Sequence, residues 1–136
     1  MEVKQNESTE LRPEGSRVMD APVVTIDMPD FLRQIKDEPT WKNSDRNAMT
    51  IYKTAEMRMV LIALHEDAII EKHLANGVIS VQVLEGEINF IVNGDSYNLK
   101  AGQVIALHRK VHHTVAAIKE SVFLLTVANF KDESNQ

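Results

Sequence analysis

Histidines carry most of the chemistry that this sequence suggests. A neutral imidazole is the commonest metal ligand in proteins and the commonest general base near pH 7. Two of the histidines are adjacent, so on an extended strand their side chains point to opposite faces and only one of them can face an interior. The five histidines of the chain are His65, His73, His108, His112 and His113.

A carboxylate lies two positions before one of these histidines, in the run Glu71-Lys72-His73. On a regular strand this spacing places Glu71 and His73 on one face, with Ile70 and Lys72 on the other. An acid and an imidazole on one face can bind a small ligand or share a metal ion. The ordinary alternative is that the histidines are hydrogen-bonded or solvated residues near strand ends and that Glu71 is a surface charge.

Composition excludes several other kinds of chemistry. The chain has no cysteine, which rules out disulfides, thiolate metal sites and cysteine nucleophiles. The five glycines are scattered, and Ser80, Ser96 and Ser121 are in no nucleophile-elbow sequence, so neither a phosphate-binding loop nor a hydrolytic triad is supported. The formal charge is −5 and the densest basic cluster is Arg109-Lys110, so nucleic acid is not expected as a partner.

The length of 136 residues fits a single domain, and 43% apolar with 26% charged residues is typical of a globular protein. The longest aliphatic run, Met59 to Leu64, is far shorter than the ~18 residues of a membrane span. The polar start of the chain has no signal-peptide core. We therefore expect a cytoplasmic protein without a membrane partner.

A two-residue period dominates the sequence from about residue 48. Ile79, Val81 and Val83 alternate with polar residues, as in a strand with one buried face. Asn93-Gly94 is typical of a two-residue hairpin turn, because both residues tolerate positive φ. Short loops separate the strand-like runs, which predicts an antiparallel sandwich or barrel. The runs are Met49 to Lys53, Met57 to His65, Ala68 to His73, Val78 to Leu84, Glu87 to Val92, Ser96 to Leu99, Gln103 to His108, His112 to Ala117 and Val122 to Phe130.

The segment before these strands predicts one short helix. Phe31, Leu32 and Ile35 have helical spacing, Asp27 can cap the first turn, and Pro39 ends the pattern. The polar composition of both chain ends predicts disordered tails. The predicted organisation is a tail at residues 1–20, an arm with the short helix at 21–47, a β domain at 48–130 and a tail at 131–136.

The order of these elements resembles the cupin superfamily, in particular its small single-domain barrels. The first motif of that family, G-x5-H-x-H-x3-E-x6-G, places its first histidine on His73 and its last glycine on Gly86. The second motif, G-x5-P-x-G-x2-H-x3-N, places its first glycine on Gly102 and its histidine on His113. The resemblance covers about residues 48–130 and implies an all-β, double-stranded β-helix (jelly-roll) barrel, here preceded by the tail and the short helix.

Only half of the metal ligands implied by the resemblance are retained. Metal-binding cupins direct three histidines and one glutamate into the barrel, and here the second histidine is replaced by Ala75 and the glutamate by Ile79. The resemblance leaves His73 and His113 as metal ligands, with Glu71 as a candidate third, for one divalent ion of Fe, Mn, Ni or Zn. Two ligands alone would hold such an ion weakly. Four further motif positions differ: Asp67 and Lys110 replace glycines, His108 replaces the proline and Ala117 replaces the asparagine.

Three kinds of function fit this sequence. The first is a barrel that binds a small polar or aromatic molecule, with His73, His113 and Glu71 as the ligand-binding residues. The second is a metal-dependent enzyme of the dioxygenase, isomerase or decarboxylase type, in which His73 and His113 hold the ion. The third is a structural or interaction module whose barrel is filled by aliphatic side chains. A solvent-connected cavity of roughly 300 Å³ or more would favour the first over the third.

Two further expectations concern assembly and register. Sheet edges in cupins are often covered by another subunit, which predicts a homodimer. The apolar run Val23 to Ile26 predicts an added strand, either on the chain's own sheet or on a partner's. The motif alignment points His113 inward, so His112 should face outward.

Overall fold

The computed structural model describes residues 21–128 and the backbone of residues 4–5 and 18–20. Two short strands, β1 (Lys4–Gln5) and β2 (Val18–Asp20), pair antiparallel within the segment for which a disordered tail is predicted. The rest of that tail, the predicted tail at residues 131–136, and residues 129–130 of the last predicted strand lie outside the described residues.

The predicted helix is confirmed as α1 (Met28–Asp37). The Asp27 carboxylate accepts a hydrogen bond from the Asp30 N–H at 3.1 Å, which caps a free donor of the first turn. A second helix that the pattern did not predict, α2 (Pro39–Asn43), follows at once. Pro39 both ends α1 and begins α2, because proline interrupts a helix yet suits a first helical position.

The remaining strands form two antiparallel sheets, as the two-residue period predicts. A four-stranded sheet has the order β5-β10-β7-β8, and a five-stranded sheet has the order β3-β4-β11-β6-β9. Neighbours in both sheets are mostly distant in sequence, as in a jelly roll. The strands are β3 (Arg46–Lys53), β4 (Met57–Leu64), β5 (Ile69–His73), β6 (Val78–Glu85), β7 (Glu87–Val92), β8 (Asp95–Lys100), β9 (Val104–Leu107), β10 (His113–Ala117) and β11 (Ser121–Ala128).

The five-stranded sheet is apolar on both faces, and each face packs into its own core. On β4, Ile62 and Leu64 face the other sheet, whereas Leu61 and Ala63 face α1 and α2. The helical side includes Ile35 and Trp41, both buried. A strand covered on both faces reads as a continuous apolar run, which explains the sequence Met59 to Leu64.

Polar groups fix the helical arm to the sheet. Asn47, buried at the start of β3, donates from Nδ2 to the Ile35 carbonyl and to the Glu38 carboxylate, at 2.9 and 2.8 Å. Lys36 pairs with Glu85 and Glu120 at 2.7 and 3.1 Å. Burial lowers the pKa of Lys36, but its hydrogen bonds and charge attraction to the two carboxylates outweigh this and leave the pKa raised. The arm is therefore docked by charge-assisted contacts as well as by its apolar face.

The expected strand at Val23 to Ile26 is absent from the chain's own sheets. Ile26 instead packs against the core beneath α1 as extended chain leading into the helix. Packing of Ile26 accounts for one end of the run, whereas Val23 at the other end is exposed. No helix in the described part of the chain is long and apolar enough to cross a membrane.

The turn between β6 and β7 explains the last glycine of the first motif. Gly86 has φ +88°, and a Cβ atom there would overlap the Glu120 carbonyl oxygen and the Ser121 hydroxyl. That hydroxyl is buried and accepts a hydrogen bond from the Glu87 N–H at 2.9 Å. The hairpin at Asn93-Gly94, with φ +51° and +84°, has the predicted turn but leaves open space around Gly94.

These two glycines form a matched pair for mutation. We expect Gly86→Ala to lower the free energy of unfolding by about 3 kcal/mol or more, because it adds a steric clash to an unfavourable φ. Gly94→Ala meets only the unfavourable φ and should cost about 1 kcal/mol. Urea unfolding measures both values. Equal destabilisation by the two variants would contradict the close approach at Gly86.

Candidate functional site

A cavity of about 540 Å³ opens at one end of the barrel, between the two sheets. His73 on β5 and His113 on β10 come from the four-stranded sheet, and the loop between β5 and β6 closes one side. The five-stranded sheet contributes from β4, β6 and β11. The lining residues are Arg58, His73, Leu74, Ala75, Asn76, Ile79, His113, Leu125 and Val127.

The two histidines of the resembled motifs meet in this cavity. His73 and His113 are directly opposite each other in the pairing of β5 with β10. Their ring centroids are 4.2 Å apart in an edge-on arrangement. Residues forty positions apart in the sequence thus form one imidazole pair at the cavity wall.

A β-bulge makes this meeting possible. Val115 pairs with Ile70 and His113 pairs with His73, so two residues of β5 oppose the single Thr114 of β10. The extra residue changes the phase of the strand, so Ile70 packs against the barrel core and His73, although exposed, lines the cavity.

The bulge also corrects the expectation that Glu71 and His73 share a face. Glu71 is exposed, does not line the cavity, and acts electrostatically on Arg46 at the start of β3. Regular alternation would have kept Glu71 beside His73, but the inserted residue breaks that alternation. The carboxylate therefore does not complete a site with the two imidazoles.

Hydrogen bonds set the proton positions of both rings. Nδ1 of His73 lies 2.8 Å from the Glu71 carbonyl oxygen, and Nδ1 of His113 lies 3.0 Å from the Val111 carbonyl oxygen. Since a carbonyl oxygen only accepts hydrogen bonds, each Nδ1 carries the proton. In the neutral rings Nε2 is then an acceptor, and it is the atom left for a ligand in the cavity.

His113 is the more deeply placed of the pair, with 4% of its surface exposed. Its ring stacks on the buried Phe90, with centroids 5.0 Å apart. Burial lowers the pKa of His113, the nearby His73 and His112 lower it further, and the hydrogen bond to Val111 opposes the shift. The ring is therefore neutral at pH 7.

The other three histidines lie outside the cavity. His112 is exposed, as alternation beside an inward His113 predicts, and His108 is also exposed. His65 stacks on Trp41, with ring centroids 3.5 Å apart, and its Nε2 lies 2.9 Å from the Trp41 carbonyl oxygen. For His65 the ordinary interpretation holds, because the ring serves packing between α2 and β4.

Sequence reasoning missed two polar residues of the cavity, Arg58 and Asn76. A signal for Arg58 exists, because on β4 it falls on the same face as Ile62 and Leu64, which point into the barrel. An arginine at the end of an otherwise apolar face marks the mouth of a barrel. Within residues 21–128 its guanidinium forms no ion pair with a carboxylate.

The four positions that hold metal in the resembled motifs all line this cavity, as His73, Ala75, Ile79 and His113. The donor set does not fit a divalent ion. Among the described residues no group of three or more histidine or acidic side chains could hold a metal, and the guanidinium of Arg58 adds positive charge. Two imidazoles without an anionic ligand, beside a cation, leave such an ion poorly held.

The fold is similar to that of several solved proteins. A cupin-2 domain containing protein from Shewanella frigidimarina superposes with a TM-score of 0.62 at 15% identity, covering 76% of this chain and 94% of that one. An RmlC-like cupin from the same organism gives 0.60 at 19% identity, covering 66% and 81%. KdgF from Halomonas sp. gives 0.59 at 14% identity, covering 66% and 84%.

No family model and no curated protein matches the chain in sequence. The structural likeness, the two antiparallel sheets and the motif positions gathered at one cavity agree with one another. The protein has the double-stranded β-helix fold of the cupin superfamily.

Proposed function

We propose that the protein binds a small molecule in the barrel cavity through His73 and His113. The observation that carries this proposal is the cavity of about 540 Å³, in which the pair of imidazoles shares the lining with aliphatic side chains and with Arg58 and Asn76. A few converging polar groups on an apolar surface are the usual composition of a small-molecule site. The acceptor nitrogens supply orientation, and the walls supply the hydrophobic contribution to affinity.

The structure of the barrel interior favours small-molecule binding over a structural or interaction module whose barrel is filled by side chains. Toward the closed part of the barrel, Phe90 and Phe123 are fully buried and pack against aliphatic side chains. The packing stops at the level of His113, and the cavity beyond it exceeds the roughly 300 Å³ that a ligand needs. The packed side chains form a rigid base for the binding site, and the cavity lies between that base and the open end of the barrel.

The metal-dependent alternative is less well supported by the side chains. Ala75 and Ile79 supply no donor atom, and Glu71, the candidate third ligand, lies outside the cavity. Ile79 is 3% exposed and forms part of the apolar core. These residues suit an organic molecule better than a hydrated ion.

The cavity can be closed by a substitution at its wall. Ala75 is half-buried and lines the cavity, so Ala75→Leu adds three carbon atoms to the space that a ligand would occupy. In a ligand-observed NMR screen of acidic, neutral and basic compounds, we expect binding to wild type and a loss of at least ~10-fold in affinity with Ala75→Leu.

Ala55→Leu is the matched control, since Ala55 is exposed in the turn between β3 and β4 and does not line the cavity. This variant should bind as wild type does. Binding that survives Ala75→Leu unchanged would place the ligand elsewhere, and the absence of any bound compound would contradict the proposed function.

The metal alternative has its own test. Ala75→His with Ile79→Glu restores the ligand types of the resembled motif, so the affinity for Zn²⁺ should rise by at least ~100-fold over wild type. Without metal, this double variant should unfold more easily, because a carboxylate at the buried position 79 is unpaired. Calorimetric Zn²⁺ titration and thermal melts with and without the ion measure both effects.

Adding His113→Gln to that double variant provides the control, because it removes one retained imidazole and should abolish most of the gain. Wild type that already binds one equivalent of Zn²⁺ as tightly as the double variant would argue for the metal-dependent enzyme instead.

A further inference from the structure

We infer that the molecule bound in the cavity is a small hydroxycarboxylate: a carboxylate held by Arg58, an apolar body against the barrel wall, and a hydroxyl group donating to a histidine. This inference rests on the proposed function and names the chemical class of its ligand. Three independent features of the cavity support it: the charge of its lining, the acceptor atoms of its histidines and the cationic loop at its rim.

Charge is the first feature. Among the described residues no acidic side chain lines the cavity and the basic Arg58 does line it, although the whole chain carries a formal charge of −5. Two other arginines pair with carboxylates away from the cavity: Arg33 with Asp30 and Arg46 with Asp45. A guanidinium at the mouth of an apolar cavity, without a carboxylate from residues 21–128, matches the two oxygens of a ligand carboxylate.

The histidines supply the second feature. Because Nδ1 of both His73 and His113 donates to a backbone carbonyl, Nε2 is an acceptor whenever the ring is neutral. An acceptor needs a donor from the ligand, which a carboxylate cannot provide at neutral pH. A hydroxyl group on the same molecule provides it. A fully ionised phosphate group, which presents only acceptors, suits this pair less well.

The apolar wall limits the rest of the ligand. Ile79, Leu125 and Val127 line the cavity opposite the four-stranded sheet and belong to the barrel core or pack against it. A second charged group would lose its hydration there without gaining a partner. The body of the ligand is therefore hydrocarbon, aliphatic or aromatic.

The third feature is the loop from residue 108 to residue 112, His108-Arg109-Lys110-Val111-His112, which contains no acidic residue. The Lys110 N–H donates to the carbonyl oxygen of Ala75, a cavity residue, at 2.9 Å, so this basic loop lies at the cavity rim. The exposed Lys110 thus places a positive charge near the opening, which attracts anions toward it.

Lys110 adopts φ +61°, a left-handed conformation that is unfavourable for a side chain other than glycine or asparagine. The resembled motif has glycine at this position, where no such strain arises. Lys110 is exposed and does not line the cavity itself, so its charge would act on a bound anion from the rim.

Three commercially available probes test the ligand class in calorimetric or NMR titrations of the full chain. They are mandelate, mandelamide, which lacks the charge, and phenylacetate, which lacks the hydroxyl group. We expect mandelate to bind tightest, mandelamide at least ~10-fold more weakly and phenylacetate ~5-fold more weakly, in line with the loss of one ion pair and one hydrogen bond. Equal affinity for mandelate and mandelamide would overturn the inferred role of charge. Equal affinity for mandelate and phenylacetate would overturn the role of the hydroxyl group.

Arg58→Gln tests the carboxylate partner. It should weaken mandelate binding by at least ~10-fold and leave mandelamide binding nearly unchanged, because only the charged probe loses a partner. Arg33→Gln removes the same charge from the surface of α1, outside the cavity, and should leave both affinities unchanged. An Arg58→Gln variant that still prefers mandelate to mandelamide as wild type does would refute the assignment.

Lys110→Gly tests the rim. It relieves the unfavourable φ, so the melting temperature should rise while mandelate affinity falls ~3-fold. The control is Asp67→Gly, which relieves φ +72° at the other end of β10, where the Asp67 N–H bonds the Ala117 carbonyl. That variant should gain stability and keep its affinity. Unchanged mandelate affinity in Lys110→Gly would exclude the lysine from the site.

The failure of this inference differs from the failure of the proposed function. If neutral and basic compounds bind wild type and lose affinity in Ala75→Leu, but mandelate shows no preference, the cavity binds small molecules of another class. If no compound of any charge binds wild type, the proposed function itself fails.

Discussion

The cavity depends on one irregularity in the pairing of β5 with β10. Without the extra residue between Ile70 and His73, regular alternation would bring Lys72, rather than His73, to the interior face. The imidazole pair would then be replaced by an ammonium group opposite His113. A local departure from the regular strand thus determines which side chains can meet a ligand, while the sheets on either side remain ordinary.

The two faces of the five-stranded sheet explain why a polar site can exist at all in so small a domain. Its outer face is covered by α1 and α2, which are anchored through Asn47 and Lys36. Apolar side chains are therefore buried on both faces of the sheet. Stability comes from two cores rather than one. The core between the two sheets can therefore end at His113 and leave the barrel open at that end. Apolar burial on the outer face of the sheet offsets the contacts that the open end lacks.

Most of the fold could be predicted from the sequence, because alternation and turn residues are local signals. The strands of the barrel, the hairpin at Asn93-Gly94 and α1 all follow from such signals. The bulge could not be predicted, since it is defined by the register of β5 against β10 and leaves no mark in the local pattern. Arg58 was overlooked although the alternation of β4 contains it. The homodimer and the cytoplasmic location stay predictions.

Ile79, at the motif position of the glutamate, and Arg58, which lies outside the motif, make the cavity more positive than the resembled metal site. A glutamate there would supply a negative charge that binds a cation. Ile79 removes that charge, and Arg58 contributes a positive one. Both differences raise the local electrostatic potential, which disfavours a bound cation and favours a bound anion. Neutral imidazoles are compatible with a metal cation and with an anionic organic ligand, because Nε2 can either ligate a metal or accept a hydrogen bond. His73 and His113 are therefore compatible with a site that holds no metal, and the proposed ligand depends on the residues around the histidines as well as on the histidines.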